Sequence, residues 1–194
     1  AMIIGMIFAL MNVGKNRVFN FIGTVYVDAV RGVPLIVLAY FIYFGVPAGM
    51  KTIVSDFRLT ALQAGTIALA LNCGAYMAEI IRAGIESVDK GQMEAGRSLG
   101  LSWTQTMISI IMPQAIKNIL PALGNEFIVL IKETAIVGTI AVMDVTKAAQ
   151  NIGSITFDYL PPLLITAAMY FIVVVLLTKL LNAFERRLAQ SDRR

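Results

Sequence analysis

A chain of 194 residues that is 58% hydrophobic and only 14% charged, with a mean hydropathy of +0.77, is too apolar for a soluble domain of its size. Its net charge of +4 arises from 16 Lys and Arg against 12 Asp and Glu; the basic residues follow segment boundaries and do not cluster with aromatics, which argues against a nucleic-acid surface. With no histidine, His-based triads and the usual metal sites are excluded, and the single Cys73 rules out a disulfide framework.

The apolar residues gather into long runs, as a hydrocarbon core of about 30 Å requires, and do not alternate at strand period. The expected fold class is therefore an all-α integral membrane protein, one domain over residues 1–194. The first run, residues 1–13, covers about half to two thirds of a bilayer at about 1.5 Å per residue. It reads as the end of a longer, truncated first span, and no A-x-A-like cleavage site follows it at Lys15. Residues 14–24, with Lys15 and Arg17, read as a short polar connection. A second span is expected over 25–46, kinked or restarted at Gly32 and Pro34.

Residues 47–59 read as a loop, and Thr60 opens a third span over 60–86. Its Ala61, Ala64, Gly65, Ala68, Ala70, Gly74, Ala75 and Ala78 suit close helix approach. Residues 87–114 then form the one long polar interruption. Met93, Leu99 and Leu101 alternate with Glu94, Arg97 and Ser98 at helical period, Gly100 breaks the run, and Ser102 is placed to cap a second short helix that Pro113 closes. A fourth span is expected over 115–143, an external loop over 144–159 with a short helix near 145–150, and a fifth span over 162–184.

Charge orients these segments. With the C-terminus in the cytoplasm, the inside segments carry Lys15, Arg17, Arg31, Arg82, Lys90, Arg97, Lys117, Lys179, Arg186, Arg187, Arg193 and Arg194, against Lys51, Arg58 and Lys147 outside; Lys132 is left within the membrane. The polar interruption is thereby cytoplasmic.

Ionisable groups inside spans mark pathways or buried pairs. Asn72, Tyr76 and Glu79 recur at i, i+4, i+7 and form a polar stripe, read either as facing a substrate passage or as interhelical hydrogen bonds. Glu79 and Arg82 are spaced to pair with each other, which is the alternative to a gating role. Glu126, Lys132 and Glu133 add charges in the fourth span, and Cys73 reads mainly as a packing residue.

The spacing of Glu94, Ala95, Gly96, Gly100, Ile110 and Pro113 matches the cytoplasmic EAA motif of bacterial ABC importer permeases, departing at Gly96 (usually alanine) and Met112 (usually leucine). The flanks, LNCGAYMAEIIRAGIESV and ILPALGNEFIVLIKETAIV, resemble the polar amino acid uptake subfamily, which also carries Arg-Gly-x-Pro, here Arg31 to Pro34. That resemblance, running from about Val25 to Leu188, implies a five-helix type I permease core in a bacterial cytoplasmic membrane. It further implies a coupling helix, Met93, Glu94, Ala95, Gly96, Arg97, Leu99, Gly100 and Leu101, docked in a groove of an ATPase.

The implied partners are a second permease subunit, identical or homologous, two cytoplasmic ATPases, and an extracytoplasmic binding protein that delivers the amino acid. No G-x-x-x-x-G-K-[ST] occurs, so ATP and Mg belong to the ATPase, and this chain is not an enzyme and binds no cofactor of its own. Alternating access is the expected mechanism, with Glu79 and Glu126 favouring basic or amide side chains. The alternative, a stand-alone secondary transporter or channel subunit, fits five spans poorly.

Overall fold

Residue pattern, not length alone, decides which helix becomes the centre. The structure, a computed structural model, describes residues 1–14 and 16–191; Lys15, Arg193 and Arg194 of the charge count lie outside them. Helix α5 (Ala61–Glu86) begins in a reciprocal cap: Thr60 Oγ1 accepts from the Gln63 amide while Gln63 Oε1 accepts from the Thr60 amide. Its small residues then let neighbours close on it. A Cβ at Gly74 would lie 2.8 Å from Ile4 Cγ2, and one at Gly84 2.2 Å from Ile119 Cγ1.

Two apolar clusters sit along α5. Ala78, Ile81 and Ile85 pack with Ala9 of α1 (Met2–Val13), Val27 of α2 (Arg17–Arg31), Ile111, and Ala115 and Ile119 from the later chain. Ala64 and Ala68 pack instead with Leu35 and Ala39 of α3 (Leu35–Tyr40), Ile42, Val137 and Ile140.

The sequence expectation fails at residues 14–24. Asn16 accepts hydrogen bonds from the Val18 and Phe19 amides, so helix α2 starts at Arg17 and Val25 lies well inside it. Arg17, Asn20, Thr24, Asp28 and Arg31 form one polar stripe at helical spacing. The chain then breaks at Gly32 and Pro34 and turns by 103° before the segment Leu35–Met50. Pro34 lacks an amide proton and disfavours helical backbone at Val33, which fixes the break there. That segment comprises α3, a π-turn over Phe41–Gly45 and α4 (Val46–Met50).

After α5, the chain forms α6 (Lys90–Ser98), capped by Asp89, and α7 (Trp103–Thr106). Pro113 does not close a helix. A π-turn over Met107–Ile111 shifts the hydrogen-bond register just before it, so the Met112 amide reaches the Met107 carbonyl and α8 (Met112–Glu133) continues with Pro113 in its first turn.

The expected span over 115–143 also ends early as an α-helix. It tightens into a 3₁₀ turn at Thr134–Ile140 and stops at Ala141, whose φ is 67°. The external helix α9 (Val145–Thr156), capped by Asp144, runs further than expected. Last comes α10 (Leu160–Ser191), which extends past 184.

Among the described residues, α5 and α10 are each long and apolar enough to cross a membrane, and α2 with Leu35–Met50 qualifies only as one bent pair. Only 11% of the most apolar window of α10 is buried, so nearly all of that helix faces away from the bundle.

Close approach makes a specific demand on stability. Gly84→Ala, whose new methyl meets Ile119, is expected to destabilise the detergent-solubilised protein by about 1–3 kcal/mol. Gly49→Ala, with nothing within 4 Å, is expected to be neutral or to gain up to about 1 kcal/mol from helix propensity. Thermal unfolding of both variants checks the contrast.

Candidate functional site

The polar interruption folds into a closed turn. Gly100 takes φ of 83°, a left-handed conformation suited to glycine, and follows the last turn of α6. Its amide donates to the Arg97 carbonyl, and the Leu101 amide donates to the Gly96 carbonyl. Those two bonds together are the Schellman termination of α6. Ser102 then caps α7, with Oγ accepting from the Gln105 amide and Gln105 Oε1 accepting from the Ser102 amide.

Within this element the predicted contact residues separate into two sets. Glu94, Ala95, Arg97 and Leu99 are exposed, Leu99 by 82%, and Leu101 is half-buried. Arg97 donates to the Leu101 carbonyl at 3.0 Å and braces the turn. Met93 is half-buried, packs against the cluster holding Ile85 and Ile111, and lines a groove with Asp89, Lys90 and Met107. Gly96 is buried against Thr106.

On the membrane side, charge collects around Glu79. Arg82 donates to both of its oxygens, from Nη2 to Oε1 at 2.6 Å and from Nε to Oε2 at 3.0 Å, and also bonds Glu86. From α2, Arg31 Nη1 stands 3.7 Å from the same carboxylate, and its guanidinium lies 5.1 Å from the centre of the Tyr76 ring. These groups border a polar cavity of about 370 Å³, also lined by Asn12, Asn20, Thr24 and Asp28. The charges lining it are acidic at Asp28, Glu79 and Glu86 and basic at Arg31 and Arg82.

Arg31, counted above only for its charge and its place in Arg-Gly-x-Pro, has a contact of its own. It is the last residue of α2 and reaches Glu79 of α5, and its place on the α2 polar stripe is a sequence signal for that contact. The Glu79–Arg82 pair, in contrast, forms as its spacing allows.

The stripe of Asn72, Tyr76 and Glu79 does not face one space. Glu79 borders the cavity, Tyr76 meets Arg31, and Asn72 is 3% exposed with a buried Oδ1 that finds no partner among the described residues. A Tyr26 hydroxyl bonds the neighbouring Leu71 carbonyl at 2.7 Å and joins α2 to α5 at that level. Cys73 is fully buried. Glu126, 8% exposed, does not line the Glu79 cavity. Lys132 is exposed and Glu133 half-buried at the end of α8. No group of three or more potential metal ligands occurs among the described residues.

Comparison with known proteins places this geometry in context. Residues 1–190 match the family described as binding-protein-dependent transport system inner membrane component. The chain is similar to the arginine transport system permease protein ArtQ of Bacillus subtilis (strain 168), 40% identical over 191 residues, or 98% of this chain and 85% of the relative. It is also similar to the putative glutamine transport system permease protein GlnP of Rickettsia bellii (strain RML369-C), 40% identical over 190 residues, with 98% and 85% covered. A crystal structure of an amino acid ABC transporter with histidines superposes at a TM-score of 0.88 and 46% identity, over 96% of this chain and 84% of that one.

The shared carboxylate carries a stability prediction. Glu79→Gln is expected to cost about 1–3 kcal/mol, because it weakens one acceptor used by two arginines beside a cavity. Glu86→Gln is expected to cost less than about 1 kcal/mol, since that side chain is mostly exposed. Parallel thermal melts in detergent distinguish the two.

Proposed function

The chain belongs to the family of binding-protein-dependent transport system inner membrane components, and from that membership we propose that it is the permease subunit of an ATP-driven importer of polar amino acids, working by alternating access. The observation that carries this reading is the exposed Leu99 at the tip of a closed turn, flanked by Glu94 and Arg97. An apolar side chain presented on a rigid polar element gains most when a partner covers it, and the flanking charges give that contact its register. The partner is an ATPase subunit, which supplies the ATP and Mg chemistry for which this chain has no nucleotide motif.

Two such permeases, identical or homologous, would pair in the membrane with two ATPases, and an external binding protein would deliver substrate. The C-terminal end of α10 and the α6–α7 turn would face the cytoplasm. When the ATPases close, the paired α6 helices approach each other and the bundle switches the side to which its cavity opens.

Asn72, Cys73, Tyr76, Glu79, Glu126, Lys132 and Glu133 are assigned to the substrate pathway. The unpaired Oδ1 of Asn72 is an acceptor held in the bundle interior, suited to an ammonium, guanidinium or amide donor. Two relatives are named for the transport of arginine and of glutamine, amino acids whose side chains are such groups. Basic or amide amino acids are accordingly the substrate class.

Reconstitution with the ATPase and binding protein tests both halves. Leu99→Glu is expected to lower substrate-stimulated ATP hydrolysis by about tenfold or more, the loss of roughly 1.4 kcal/mol or more from one anchor. Asn72→Ala and Glu79→Gln are expected to shift the substrate concentration for half-maximal uptake. Uptake that persisted without any ATPase, or unchanged uptake in both pathway variants, would overturn the corresponding half.

A further inference from the structure

Between Asp89 and Ile110 only two residues are buried, Gly96 of α6 and Thr106 of α7. They touch each other. A Cβ placed on Gly96 would lie 2.5 Å from Thr106 Cγ2, 2.9 Å from Thr106 Oγ1 and 3.2 Å from Ile110 Cδ1, so the contact has no room for a methyl unless a neighbour moves. Thr106 is 0% exposed, and its hydroxyl donates to the Ser102 carbonyl at 3.0 Å, which fixes its side chain over Gly96. Immediately after Thr106 the π-turn Met107–Ile111 leads without interruption into α8.

The other links across this joint are weaker or further back. Met93 is half-buried and reaches the cluster that holds Ile85 and Ile111, at the root of α6. The turn itself, residues 99–102, is exposed or half-buried, and its bonds hold its own shape more than its angle to the bundle. Gln114 Nε2 of α8 also donates to Gln92 Oε1 of α6 at 3.5 Å, between exposed side chains, so the buried contact that bears on the angle between α6 and α8 is that of Gly96 with Thr106.

Taking α6 as the ATPase-docking helix, as above, we infer that the Gly96–Thr106 contact is the positioning joint through which displacement of α6 is passed to α8, and that Gly96 and Thr106 are a matched pair. Transmission of this kind requires a stiff contact with two alternative placements, and a small, fully packed pair provides the stiffness.

The test uses the reconstituted complex of permease, ATPase and binding protein, with arginine or glutamine as the transported probe, and reads uptake per ATP hydrolysed beside the yield of assembled complex. Gly96→Ala is expected to lower uptake per ATP by threefold or more while the complex still assembles. Thr106→Ala removes both contacting atoms but leaves the Ser102 carbonyl bonded by the Thr106 main-chain amide at 2.9 Å, so Gly96→Ala with Thr106→Ala is expected to recover at least half of the lost ratio. A double variant no better than Gly96→Ala alone would overturn the matched pair. A Gly96→Ala complex in which yield and both rates fall together, with the ratio unchanged, would overturn the positioning role in favour of plain packing. Leu99→Glu in the same assay separates this inference from the reading beneath it. If Leu99→Glu lowers substrate-stimulated ATP hydrolysis and Gly96→Ala leaves uptake per ATP unchanged, the joint alone is wrong; if Leu99→Glu leaves that stimulated hydrolysis intact, the docking assignment of α6 is wrong and the joint falls with it.

Discussion

The bundle depends on how closely other helices can approach α5. In a membrane, water does not drive helices together as it does in a soluble core, so association relies on short interhelical distances and satisfied polar groups. At Gly74 and Gly84 the neighbouring Ile4 and Ile119 occupy the space a side chain would take. Because both apolar clusters share this helix, the same small-residue faces hold α1, α2 and α8 along one half and α3 with the 3₁₀ turn along the other. Movement of any of these elements is movement relative to α5.

That arrangement gives the charged cluster its meaning. Arg31 ends α2 directly before a 103° break, and its guanidinium lies against Tyr76 and Glu79 on α5. The Tyr26 hydroxyl ties the same two helices at Leu71. The bent crossing is thus fastened on one side of its bend, while the Leu35–Met50 arm packs in a different cluster. Both arms of the bend therefore rest on α5, the first through polar contacts and the second through apolar packing at Ala64 and Ala68.

The α6–α7 element follows the opposite logic. Where α5 is crowded, α6 and α7 bury little, and their shape comes from hydrogen bonds within the chain: a helix stop at Gly100, a brace from Arg97, and a reciprocal cap at Ser102. Such local bonding keeps an exposed element rigid without a core of its own. Rigidity with exposed apolar and charged side chains is what a surface needs in order to be held by another protein. The family to which the chain belongs accounts for a holder.

Much of this was legible from the residues alone because it depends on local geometry. Long apolar runs, the helix stop at Gly100, the Ser102 cap, the break at Gly32 and Pro34 and the small-residue face of α5 are each set by a few neighbouring residues, through backbone sterics, capping or side-chain period. The departures have local causes too: the Asn16 cap starts α2 at Arg17, inside the stretch 14–24 that composition marks as a connection, and the π-turn that accommodates Pro113 leaves no compositional mark. What sequence could not decide was which side chains meet across helices. Tyr76 and Glu79 both meet Arg31 of α2 while Asn72, at the same spacing, is buried in the bundle, and Met93 is half-buried against the cluster of Ile85 and Ile111. Those outcomes depend on crossing angles and distances between segments far apart in the chain, and only the packed bundle fixes them.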